Sequence, residues 1–80
     1  MKLYLKNGKV VELDEVNTIN INNINYGVGK YYDPVFDDRK IIERQIHNLI
    51  IGRKNTKVVI DYGFLNEFVT TTDNIIGVEV

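Results

Sequence analysis

Eighty residues, 44% hydrophobic and 26% charged, describe one ordinary globular domain spanning residues 1–80 and exclude a disordered chain. A net charge of −1 supplies no global field to draw in nucleic acid or an anionic membrane. With no Cys in the chain, disulfides, thiolate zinc sites and Cys nucleophiles are excluded, and Ser, Ala and Trp are missing too.

Residues 2–13, KLYLKNGKVVEL, read as a β-hairpin about Asn7-Gly8. A two-residue loop would set Leu3 against Glu12. A three-residue loop, Lys6-Asn7-Gly8 with Gly8 left-handed, pairs Leu3 with Val11 and Met1 with Leu13, and puts Lys2 opposite Glu12. The second register is expected, because a one-residue slip exposes every apolar side chain. Asp14-Glu15 turns the chain, and residues 16–21 form a third strand with Ile19 and Ile21 inward. Asn22-Asn23 tolerates positive φ and leads either into a short strand, Ile24 to Tyr26, or into an irregular approach to a helix.

Residues 33–52, DPVFDDRKIIERQIHNLIIG, carry the one clear helical signature. Asp33 suits the N-cap, Pro34 the first helical position, and Asp37 and Asp38 the positive end of the macrodipole. Gly52 is expected to close the helix in a left-handed conformation, with Arg53 and Lys54 where cations are favoured. Val35, Ile42, Ile46, Leu49 and Ile50 share one arc, whose burial contributes on the order of 10 kcal/mol before entropy. Phe36, Ile41 and Ile51 lie off it. Beyond Arg53–Thr56, residues 56–62 form a strand with Val58, Ile60 and Tyr62 on one face, broken at Gly63. Residues 64–69 read as a further strand or a short helical turn, and the spacing of Phe64, Leu65, Phe68 and Val69 favours the turn. Thr72-Asp73-Asn74 turns the chain into a last strand, IIGVEV. The expected fold is α+β, in the order β-β-β-α-β-(short α)-β, a mostly antiparallel sheet with one main helix on one face.

Few residues invite chemistry. His47 lies four positions after Glu43, as a general acid–base pair would, but no nucleophile or oxyanion site accompanies it. Asp33, Asp37 and Asp38 lack the EF-hand spacing and are explained by the helix dipole; Asp61 and Asp73 are not brought together by sequence. Gly27-Val28-Gly29-Lys30 lacks the full phosphate-loop pattern. Neither catalytic residues nor a metal or cofactor is expected. Lys2, Tyr4, Lys6 and Lys9 on the first hairpin, with Lys30 before Tyr31-Tyr32, could stack bases and meet phosphates. Eleven acidic residues against ten basic ones weigh against nucleic acid as the partner.

Tyr26, Tyr31 and Tyr32 with Phe36, Ile41 and Ile51 make the candidate surface for a larger protein partner. A homodimer joined through Ile41 and Ile51, or along the C-terminal strand, is the other interaction considered. No stretch is long and apolar enough to span a membrane, and the first residues lack a signal-peptide core, so a cytoplasmic location in a bacterial host is expected. The surplus of Ile, Asn, Lys, Tyr and Phe matches A/T-rich codons and points to a low-GC bacterium, its phage or a mobile element. The expected function is a small non-enzymatic binding module, such as a stoichiometric inhibitor that occludes a host protein, for example a defence nuclease; a single-stranded nucleic-acid binder is the alternative.

Overall fold

A computed structural model describes residues 1–14, 17–28 and 38–80. The fold is α+β, with two antiparallel sheets and one main helix. Strands β1 (Lys2–Leu5), β2 (Val10–Glu12) and β7 (Ile75–Glu79) form one sheet in the order β2-β1-β7. Strands β3 (Thr18–Ile21), β4 (Ile24–Gly27), β5 (Lys57–Gly63) and β6 (Asn66–Thr71) form the other, in the order β4-β3-β5-β6. Helix α1 (Arg39–Ile51) lies against β7 and a 3-10 turn at Thr72–Asn74.

The first hairpin takes the register that its side chains favour. Lys2 faces Glu12 and Leu3 faces Val11, Gly8 has φ +86°, and Lys2 Nζ lies 3.7 Å from Glu12 Oε1. Leu13 N–H bonds to the Met1 carbonyl at 2.9 Å, extending the pairing by one rung. Beyond it the chain changes sheets at a buried Asn17, whose side-chain oxygen accepts from Asp14 N–H at 2.6 Å. Ile19 and Ile21 then face the core, and Asn22 and Asn23, at φ +54° and +69°, turn tightly into β4. Leu3, Leu5, Val11 and Leu13 from one sheet meet Ile19, Ile21, Val58 and Ile60 from the other, with Ile42 and Ile46 of the helix and Ile75 of β7.

The structure corrects four expectations. The strands divide between two sheets instead of one, because β7 pairs with β1 and not with the strands that precede it. Residues 64–69 are not a helical turn: Asn66–Thr71 pairs along β5, and Phe64-Leu65 is the tip of a hairpin. The helical spacing of Phe68 and Val69 was misleading, since in an extended strand these neighbours point to opposite faces. Asp38 is the N-cap and not an interior residue of the first turn. Its N–H bonds to the Gly27 carbonyl at 3.1 Å and its carboxylate accepts from Gly27 N–H at 3.3 Å, anchoring the helix start to the end of β4. The caps and dipole residues assigned to Asp33, Pro34 and Asp37, and Val35 of the apolar arc, lie outside the described residues. Ile42 and Ile46 of that arc are buried, and Leu49 and Ile50 pack partly against the core.

Lastly, Gly52 keeps a right-handed conformation, and Arg53 at φ +54° is the left-handed residue. Arg53 N–H bonds to the Ile50 carbonyl at 3.1 Å and Lys54 N–H to the Leu49 carbonyl at 3.0 Å, the paired bonds of a Schellman cap. A left-handed conformation costs a residue with a Cβ about 1–2 kcal/mol, which glycine avoids. Arg53→Gly is therefore expected to raise stability by about 1 kcal/mol, read as a higher urea midpoint with an unchanged slope. A loss of stability would mean that the exposed guanidinium contributes more than the cap strain removes.

Candidate functional site: the exposed apolar hairpin tip

Strand β5 alternates buried Val58 and Ile60 with outward Lys57, Val59 and Asp61, and β6 returns along it with Phe68 opposite Ile60 and Val69 opposite Val59. The connection is two residues long, between the paired Gly63 and Asn66. Phe64 and Leu65 adopt φ +53° and +62°, so both central residues are left-handed, as a tight type I′ hairpin requires. Asn22-Asn23 makes the same turn in the same sheet with residue types that tolerate it. At the other turn stand a phenylalanine and a leucine, and both are completely exposed, at 104% and 103%.

The backbone strain is of order 1–2 kcal/mol for each of the two residues, and no intramolecular apolar contact offsets it. A second unfavourable feature sits beside the tip. Asp61 and Glu67 are directly opposite on adjacent strands, both exposed on the same face, where like charges repel. One Asp61 oxygen accepts the Gly63 N–H at 2.7 Å, which holds the hairpin bend. The tip thus presents two bare apolar side chains above a pair of carboxylates.

The partner-binding residues singled out from sequence do not form one patch among the described residues. Tyr26 sits opposite Ile19 on β4, half-buried against the core. Ile41 and Ile51 are exposed at 43% and 80% but ten residues apart on the helix, about 15 Å along its axis. Tyr31, Tyr32, Phe36 and Lys30 lie outside the described residues. Of the basic group, Lys2 faces Glu12 and Lys9 Nζ lies 4.7 Å over the Phe68 ring, while Lys6 is exposed. Tyr4 donates its hydroxyl hydrogen bond to the Glu79 carboxylate. His47 is exposed, and among the described residues no three His, Asp or Glu side chains converge as metal ligands would. The hairpin tip escaped sequence reading, although the near-mirror pattern of VVIDYG and NEFVTT about Phe64-Leu65 marked it.

The outward face of the four-stranded sheet is polar, but its amides are already engaged. Asn20 Nδ2 donates to Asn25 Oδ1 at 2.9 Å, and Asn20 Oδ1 accepts from Asn23 N–H at 2.9 Å. On the other sheet, the bond to Glu79 is the main cause that raises the Tyr4 pKa above 10.0, followed by desolvation and by the charges of Glu79 and Glu12. Because the folded value is raised, the contribution of this group is complete below pH 10 and fades as pH climbs through the raised value. Glu79→Gln is expected to bring that tyrosine's ionisation back towards 10, seen in an ultraviolet tyrosinate titration; an unchanged curve would show that the carboxylate does not control it. Comparison of the chain with protein-family models, with curated proteins and with solved structures finds no match.

Proposed function

We propose that this protein is a non-enzymatic binding module that acts by seating the Phe64-Leu65 tip in an apolar pocket of a larger protein. The observation that carries the reading is the coincidence, at one turn, of full exposure, left-handed backbone and two large apolar side chains. Each of these features opposes folding of the isolated chain, and such local conflicts concentrate at functional positions. Burying the two side chains contributes about 5 kcal/mol, enough for an anchor but not for a whole interface. The remainder comes from the flanks, where Asp61 and Glu67 favour a pocket rimmed by Lys or Arg. Occlusion of a host enzyme or defence nuclease by a phage or mobile-element product fits a module of this size and build. Among the described residues, Lys2, Tyr4 and Lys9 already have intramolecular partners, which weighs against the nucleic-acid alternative.

The test compares wild type with a chain carrying Phe64→Asn and Leu65→Gly, each immobilised and exposed to a lysate of a low-GC bacterium. Proteins held by wild type in stoichiometric amount and absent from the variant support the reading. An identical set on both chains removes the tip from the interface.

A further inference from the structure

The outer edge of β6 is a second exposed feature of the four-stranded sheet, separate from the tip. β6 is the end strand of its sheet, and its six residues make it the longest of the four end strands among the described residues. Thr72 N–H bonds to the Thr56 carbonyl on the β5 side at 2.9 Å. Backbone groups alternate along a strand, so Phe68 and Thr70 also turn theirs towards β5, while Glu67, Val69 and Thr71 turn theirs away. Among the described residues nothing pairs with those three.

End strands are usually guarded by Lys, Pro, bulges, short length or a covering element. The other three carry such guards. β2 has three residues and β4 has four, and β7 has an irregular register against β1 and lies beside the helix. β6, NEFVTT, has no Lys, Pro or Gly; its one charged residue is Glu67, and the register irregularity of its pairing with β5 lies at Asp61–Gly63, beside the tip and away from Val69. Beside it a groove is lined by Phe68, Val69 and Thr70 of β6 and by Leu5 and Asn7 of the first hairpin.

We propose that β6 pairs antiparallel with β6 of a second copy of this chain, about a two-fold axis through Val69, to make one continuous eight-stranded sheet. The occupant follows from the strand's self-complementarity. With Val69 on the axis, Val69 exchanges both backbone bonds with its copy, and Glu67 on each chain faces Thr71 on the other. Centring on Glu67 would oppose two carboxylates, and centring on Thr71 would leave little overlap. Val69, 55% exposed, joins Val59 opposite it, so the axis runs through an apolar strip of four valines on the outer face. The interface is at the small end for specific association, so a micromolar dissociation constant is expected. The two tips then point to opposite ends, about 27 Å apart along the strands, and each dimer presents two anchors.

Sedimentation equilibrium of the full chain at about 100 µM tests this. Wild type is expected at twice the 9.3 kDa chain mass, while Val69→Lys and Val69→Glu each sediment as monomers. An equimolar mixture of the two variants is expected to recover the doubled mass, because opposite charges then meet on the axis. The Phe64→Asn/Leu65→Gly chain remains dimeric. As a second measurement, Val69→Cys is expected to cross-link to itself through a short bismaleimide, whereas Glu67→Cys, about 14 Å from its copy in this register, is not. A monomeric wild type, a dimeric Val69→Lys or efficient cross-linking at position 67 would each overturn the proposal.

Discussion

Exchanging Phe64-Leu65 for Asn-Gly is expected to stabilise the fold by about 2 kcal/mol while abolishing partner capture. The gain follows from the backbone. Two bulky residues at φ +53° and +62° carry strain of order 1–2 kcal/mol each, and Asn-Gly is the pair best suited to this turn. Glycine's greater unfolded-state entropy subtracts a part of that relief. Nothing is lost in packing, because both side chains are fully exposed. For a chain of this length the net gain corresponds to a rise in Tm of about 10 °C. The opposite signs separate the two interpretations of the tip. A residue pair kept for the fold would lower stability when removed; a pair kept for contact lowers binding alone. A thermal midpoint that falls would show that Phe64 and Leu65 make intramolecular contacts in solution, and the anchor reading would fail with it.

The comparison of two turns in one sheet also explains what was readable in the sequence. Asn22-Asn23 advertises a left-handed turn through its residue types, and of the two continuations its sequence allows, the strand β4 follows it. The register of the first hairpin was decidable because one alternative buried Glu12 against Leu3. The helix stripe was equally plain, since Ile42 and Ile46 recur at helical spacing and are fully buried. The residue types of Phe64-Leu65 gave no such signal, and only the pattern of the strands on either side marked the turn. Its residue types oppose the conformation it adopts, and Gly63 beside it drew attention as a strand breaker when it is the last residue of β5. Arg53 concealed its left-handed backbone in the same way, next to a glycine that looked like the natural cap. The division into two sheets depends on which strand β7 chooses, a long-range pairing that local pattern does not encode. Positions where local preference and observed geometry disagree are therefore the ones that sequence reading misses, and among exposed residues the tip is the strongest such disagreement.

Thr72→Val is expected to lower stability by about 3 kcal/mol, the largest loss for any change of a single hydroxyl here. Thr72 is 2% exposed, and its hydroxyl donates to the Lys54 carbonyl at 2.6 Å while accepting the Thr56 N–H at 2.9 Å. One oxygen thereby ties the loop leaving α1 to the corner where β6 passes into β7. Valine has nearly the same volume, so no cavity opens; the loss comes from the part-buried N–H and C=O groups left without this partner. Thr72→Ser keeps the hydroxyl and removes only a methyl, at about 1 kcal/mol. Chemical denaturation of the three chains decides the matter, and a serine variant weaker than the valine variant would contradict the bonding account. Because Thr72 and the tip lie at opposite ends of β6, their effects are expected to add. A chain with Thr72→Val and the Asn-Gly tip should then sit about 1 kcal/mol below wild type. Strong departure from that sum would mean that tip strain is transmitted along the strand, so that binding at Phe64-Leu65 alters the helix exit as well.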